Sequence, residues 1–221
     1  MKSILLVLFS LTLSTALTQK EAGIFYISMH IDEDLQNELE MTHKERNFLS
    51  GYSSSPHFPG SLIEKMRDSI AKSVGEILNA DAECIYSMNR KGDTVYTIGL
   101  ADELEGMPVE RKNKAIRTHD KDIYVRLNIW VKSSGGVSVG LPNGTHSKLK
   151  PMIKYVLVAY NKEGNKIYKE KVKVKDFGTL KSVEKDSKNG EWRVKESEVL
   201  QPEDVFAMLL KAIEKFEMEH I

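Results

Sequence analysis

His119-Asp120-Lys121-Asp122 is a dense local grouping of chemistry-bearing side chains. A histidine flanked by carboxylates can hold a cation or act as a base, which would suit an exported hydrolase whose site is assembled in space. The segment runs directly into an apolar strand, and in an extended chain successive side chains point to opposite faces. Only His119 with Lys121, or Asp120 with Asp122, would then converge. The competing expectation is a solvated loop, because polar residues ahead of a strand ordinarily face water.

A second candidate lies in that strand. Ile123, Val125, Leu127, Ile129 and Val131 alternate onto one face, which must be buried, and Tyr124, Arg126, Asn128 and Trp130 fall on the other. Aromatics beside Arg and Asn on one sheet face can stack on a sugar or on a partner chain. The ordinary alternative is that they pair across the sheet or lie under a loop.

Other templates are missing. The remaining histidines, His30, His43, His57, His146 and His220, form no His-x-x-x-His, and one cysteine allows no Cys-x-x-Cys, so no metal is expected. Asp32-Glu33-Asp34 lacks the glycine at position six and the glutamate at position twelve of a calcium loop. Gly135-Gly136 with Gly140 precedes no Gly-Lys-Ser/Thr, so no phosphate cradle and no cofactor is expected. The serines are expected to form no Gly-x-Ser-x-Gly elbow. Asn143-Gly144-Thr145 is a glycosylation sequon that matters only in a eukaryotic source. Cys84, the single cysteine, opens an apolar run and reads as a buried, inert thiol.

Residues 1–19 read as a signal peptide: Lys2, an apolar run from Ile4 through Leu13, then the small residues Ser14-Thr15-Ala16. The run is short for a membrane span, and no later stretch is long enough, so the expectation is an exported chain with no transmembrane segment once matured. Residues 20–221, about 200 residues, are expected to form a single domain that buries its core without disulfides. The formal net charge is zero but uneven: Lys20–Glu64 holds three basic and eight acidic residues, His146–Lys195 fourteen basic and six acidic. Such asymmetry can guide docking to an acidic partner, or simply reflect solvated lysines. No arginine–aromatic cluster accompanies the lysines, so no nucleic acid is expected.

The elements that must position these candidates are hairpins and two helices. Met152–Val174 reads as two strands around Asn161-Lys162-Glu163-Gly164-Asn165. Its first arm is apolar on both faces, and its second places Lys169, Lys171 and Lys173 on one face. Ser133-Ser134-Gly135-Gly136 reads as a turn, Arg90-Lys91-Gly92-Asp93 as a hairpin turn between Cys84–Asn89 and Thr94–Leu100, and Asn189-Gly190 as another between arms 180–184 and 191–194. Residues 61–79 carry an apolar stripe behind a Ser61-x-x-Glu64 capping box and stop at Asn79; residues 202–218 carry a second stripe behind Pro202. A short helix could occupy Val109–Arg117. The expected fold is therefore α+β, an antiparallel sheet built from hairpins with both helices packed on one face.

That order, a strand at Gly23–His30, a helix at Ser61–Leu78, further strands, the arm YVLVAYNKEGNKIY at Tyr155–Tyr168 and a closing helix, resembles small α/β domains of bacterial envelope proteins. The amino-terminal domain of the Tol translocation protein and the curli-secretion lipoprotein are of this kind. The resemblance implies an assembly or interaction module. This chain departs from it in having no lipidation cysteine and an added acidic segment, Asp32–Arg46. The functional expectation is a non-enzymatic exported domain that binds a protein or envelope partner. The alternatives are the hydrolase with His119, Asp120 and Asp122, and a small-ligand carrier with a cavity between sheet and helices.

Overall fold

The computed structural model describes residues 19–32, 35, 58–96, 103–141, 144–178, 180–185, 192–194 and 200–220. Segment 1–18, and with it the expected signal peptide apart from residue 19, lies outside the described residues. So do most of the acidic segment and the tip at Asn189-Gly190.

Gly23–His30 is apolar on both faces, the pattern of a strand covered on two sides, and it forms the middle of β1 (Lys20–Ile31). The chain then crosses over through α1 (Gly60–Leu78) to β2 (Ala80–Cys84), which runs parallel to β1. A small hairpin of β3 (Ser87–Met88) and β4 (Thr94–Val95) and the short α2 (Lys112–Thr118) lead to β5 (Ile123–Leu141), parallel to β1 on its other side. From there the strands are antiparallel: β6 (Gly144–Tyr160), β7 (Lys166–Val174), β8 (Leu180–Lys185) and β9 (Trp192–Val194), before α3 (Pro202–His220). The order across the main sheet is β2-β1-β5-β6. β7 pairs the body end of β6, β8 pairs its far end, and β9 adds to β8.

The fold is α+β, but the sheet is mixed, which corrects the expected antiparallel hairpin sheet. The parallel entry of β2 has a plain cause. A helical connection returns the chain to the starting end of the previous strand, so the next strand enters parallel. β2 is such a strand. Of the hairpin expected between Cys84 and Leu100, the described residues show the β3–β4 pair, and 97–100 lie outside them. Where β2 ends, residues 103–109 take over the edge of β1. Ser28 bridges Glu103, Tyr26 bridges Val109, and the Ile27 N–H donates to the Pro108 carbonyl at 2.9 Å.

The glycine pair is a second correction. Gly135-Gly136 is no turn. β5 runs through it with an irregularity between Ser133 and Gly136, and continues to Leu141, which pairs with Gly144 of β6. Glycine in a strand often marks such a bulge.

Both long helices pack on one face of the sheet, as their stripes require. Leu62, Ile63, Met66, Ile70 and Val74 of α1 share one core with Val205, Met208, Leu209, Ile213 and Phe216 of α3 and with the inward residues of β1, β5, β6 and β7. α1 starts differently from expectation. It begins at Gly60 after Pro59, whose carbonyl accepts the Leu62 N–H at 2.8 Å, and no side chain caps it, so the Ser61/Glu64 box is not formed. Asn79, at φ 47°, does supply the left-handed stop. On the opposite face α2 covers a smaller cluster of Phe25, Tyr26, Ile85, Val109, Ala115 and Tyr124. Among the described residues, only part of that face is covered.

Candidate functional site

The strand register assembles the unroofed part of the outer face. Reading from β7 through β6 and β5 to β1, Lys173, Lys154, Trp130 and His30 are successive partners. The next row is Lys171, Val156, Asn128 and Ser28, and the next Lys169, Val158, Arg126 and Tyr26. Partners on adjacent strands share a face. Val172 and Val174 alternate inward and are buried, while Lys169, Lys171 and Lys173 stay exposed. These three rows therefore carry three lysines along the edge strand and two further cations, Lys154 and Arg126, on interior strands.

Both of these interior cations lie over an aromatic ring. Lys154 Nζ is 4.6 Å from the centroid of Trp130, and the Arg126 guanidinium is 4.8 Å from that of Tyr26. Arg126 Nε donates to Asn128 Oδ1 at 3.2 Å, and the Ser28 hydroxyl meets the same oxygen at 3.2 Å. Val156 and Val158, 7% and 8% exposed, lie beneath these longer side chains. No carboxylate occupies a register position in the three rows. The acids stand at the β1 end: Asp32 is 3.7 Å from His30, and Glu103 lies beyond Ser28.

Of the four residues the alternation placed on this face, Arg126 is exposed, and Asn128 and Trp130 are half-buried. Tyr124 is 1% exposed beneath α2. Its position in the strand gave its side but not the cover, which comes from a helix whose weak sequence pattern did not say where it would sit.

The His119 group divides between two partners: His119 turns to Glu110, while Asp120 and Asp122 converge on Lys162. Nε2 of His119 meets Glu110 Oε2 at 3.2 Å, and Glu110, whose side chain is 1% exposed, also pairs with Lys114 Nζ at 3.0 Å. Lys114 in turn donates to the Ser87 hydroxyl. Asp120 and Asp122 instead share Lys162, at 3.4 and 3.3 Å. Asp122 Oδ2 also accepts the Glu21 N–H at 3.0 Å, and that backbone donor, with Lys162, holds its carboxyl below the ordinary value. Glu110 and Lys162 were missed because nothing in their own neighbourhoods marks them; the fold alone brings them to the cluster.

Gly136-Val137-Ser138-Val139-Gly140 does spell the Gly-x-Ser-x-Gly pattern, which corrects the sequence reading. It runs inside β5 paired to β6, without the strand-to-helix turn that exposes a nucleophile. Burial pushes the Cys84 thiol up to about 12, which keeps it protonated and unreactive at neutral pH. A cleft of about 400 Å³ lies beside the first turns of α1, lined by Phe58, Glu64, Arg67, Tyr96 and Glu105 among others. Its Arg67 is already held by the Tyr86 hydroxyl at 2.8 Å and the Gly106 carbonyl at 3.3 Å. Among the described residues, no helix is long and apolar enough to cross a membrane.

No protein-family model and no curated protein matches the chain. Among solved structures it is similar to a protein described as a neuraminyllactose-binding hemagglutinin homologue from Helicobacter pylori, at 9% identity and TM-score 0.36, covering 91% of this chain and 81% of that one. It is also similar to lipoprotein GNA1162 from Neisseria meningitidis, at 9% identity and TM-score 0.29, covering 90% and 99%. A third is the hypothetical protein CT253 from Chlamydia trachomatis, at 8% identity and TM-score 0.28, covering 90% and 96%. These likenesses are weak and concern overall fold only; they assign no activity, partner or location.

Proposed function

We propose that this chain is an exported, non-enzymatic binding domain that docks a polyanionic macromolecule on the open half of its outer sheet face. The charged start and apolar run of residues 2–13 support export. One observation carries the docking: the cations do not stop at the sheet edge. Lysines on an edge strand alone would be explained by protection against strand addition. Lys154 and Arg126 stand on β6 and β5, which have partners on both sides, and edge protection gives no reason for them.

Lysines two apart on β7 are about 6.6–6.8 Å apart. At that distance in water two unit charges repel by roughly 0.6 kcal/mol. A polyanion relieves this repulsion and gains counterion release, so binding should weaken steeply with salt. The test is affinity of the full chain for dextran sulfate across a salt series. Lys169→Ala/Lys171→Ala/Lys173→Ala should lose most of the affinity and flatten the salt dependence, while Lys65→Ala/Lys72→Ala on α1 should change neither. Equal behaviour of the two variants, or no binding at low salt, would reject the reading.

A further inference from the structure

We infer that the polyanion is an acidic glycan, a chain of sugar rings bearing carboxylate or sulfate groups, and that Lys154 covers the Trp130 ring until an anion draws it away. The inference rests on the docking reading above and adds the partner's chemistry.

Trp130 is half-buried in the third position of a row whose first two members are Lys173 and Lys154. Its ring face is occupied by Lys154 Nζ at 4.6 Å. A cation–π contact at a partly exposed site is weak. An incoming carboxylate or sulfate offers Lys154 a stronger, charge-assisted partner. The ring then becomes available to the apolar C–H face of a pyranose, so anion capture and ring stacking are coupled on neighbouring positions.

The two neighbouring rows suit a hydroxyl-rich partner. Arg126 Nε can only donate, so the Asn128 atom it meets is the carbonyl oxygen. That leaves the Asn128 amide N–H groups as the donors it can offer a ligand. Other polyanions fit less well. Anionic bilayers reward apolar side chains that project into the interface, whereas Val156 and Val158 lie buried under the cations. Single-stranded nucleic acid stacks successive bases on several rings, whereas Tyr26 is only 6% exposed and covered by Arg126.

The experiment compares three probes on the full chain at one ionic strength: polygalacturonate, polyglutamate and neutral galactan. The Trp192→Phe variant leaves Trp130 as the single tryptophan, since the sequence has two. Polygalacturonate should change Trp130 emission, and polyglutamate, which carries charge without rings, should change it much less. Trp130→Ala in the otherwise native chain should weaken polygalacturonate binding by about tenfold and leave polyglutamate binding unchanged. Trp130→Phe should restore part of the loss. Lys154→Ala should make Trp130 more accessible to acrylamide while lowering polygalacturonate affinity, a pair of opposite effects that a merely structural role would not produce. Equal affinity for polygalacturonate and polyglutamate, insensitive to Trp130→Ala, would overturn the glycan inference and leave polyanion docking standing. Tighter binding to phosphatidylglycerol vesicles, or to oligodeoxynucleotides, would overturn it in favour of those partners. Failure to bind any polyanion would remove both readings.

Discussion

The Tyr124 hydroxyl donates to the backbone carbonyl of His119, and it accepts the Lys121 N–H at 3.2 Å. The ring sits among Phe25, Tyr26, Ile85, Val109 and Ala115, so its one polar group is satisfied inside an apolar cluster. This contact pins the turn between α2 and β5, and it takes Tyr124 out of the proposed docking surface. Tyr124→Phe leaves two backbone groups short of that partner in a buried setting, so about 1–3 kcal/mol of stability should be lost. Urea unfolding should show a lower midpoint with an unchanged slope. Dextran sulfate affinity should be unaffected, and a parallel loss of affinity would return Tyr124 to the surface.

The same residue shows what the sequence could reveal. Period-two alternation placed Tyr124, Arg126, Asn128 and Trp130 on one side of β5 and the aliphatic residues on the other, and the two apolar stripes located both long helices within a residue or two. These signals are local, because a repeat of 2.0 or 3.6 is written in consecutive residues. What was not legible depends on pairs far apart in the chain. Parallel pairing of β1 with β5 joins residues about a hundred positions apart, and Glu110 gives no local sign that His119 will reach it. The Ser61-x-x-Glu64 box failed for a different reason: Pro59 and Gly60 start the helix one residue earlier and leave Ser61 inside it. Gly135-Gly136 failed because glycines serve bulged strands as well as turns.

Gly106 and Gly92 both have φ of +88°, where any L side chain is strained. They differ in surroundings. A Cβ on Gly106 would lie 3.0 Å from Ile63 Cγ2, and one on Gly92 meets nothing within 4 Å. Gly92→Ala should therefore cost only the backbone strain, about 1–2 kcal/mol. Gly106→Ala should cost more, because Ile63 belongs to the core and cannot yield freely. Paired thermal melts check the order, and equal losses would show that Ile63 gives way.

Leu209 and Leu210 are adjacent on α3 and opposite in environment, one fully buried and the other 41% exposed. Leu209→Ala should cost about 2–5 kcal/mol through lost burial and the space left behind. Leu210→Ala should stay within about 0.5 kcal/mol. Urea midpoints of the two variants test the face by which α3 docks; the reverse order would mean that the helix is rotated about its axis.

Asp122 couples the start of β5 to pH. Its carboxylate accepts the Glu21 N–H and faces Lys162, and both hold its carboxyl below the ordinary aspartate range. A carboxyl depressed on folding contributes in full above its unfolded value and loses that contribution as pH falls through the lower folded one. Stability should therefore decline below about pH 4 in the native chain, and Asp122→Asn should flatten that acid limb while lowering stability at pH 7. Urea midpoints between pH 7 and pH 3 measure it. An acid limb unchanged by the substitution would assign the decline to other carboxylates.

Glu110 is the buried member of a three-way ion cluster whose cations are not buried. Its side chain is 1% exposed, against 41% for Lys114 and 24% for His119. Lys114 or His119 can rehydrate if the contact is lost, whereas the carboxylate has nowhere to turn. Removing one partner leaves the other in place, so Lys114→Ala and His119→Ala should each be mild. Removing both strands a charge in the interior, for which about 3–5 kcal/mol is the usual cost. The double variant should therefore be destabilised by more than the sum of the singles, the coupling expected of residues that share one partner. Denaturation of the four proteins under one condition closes the cycle. Additive losses would mean that Glu110 is hydrated in the folded chain and that α2 is anchored by its apolar cluster and by Lys112 on the Gly164 carbonyl.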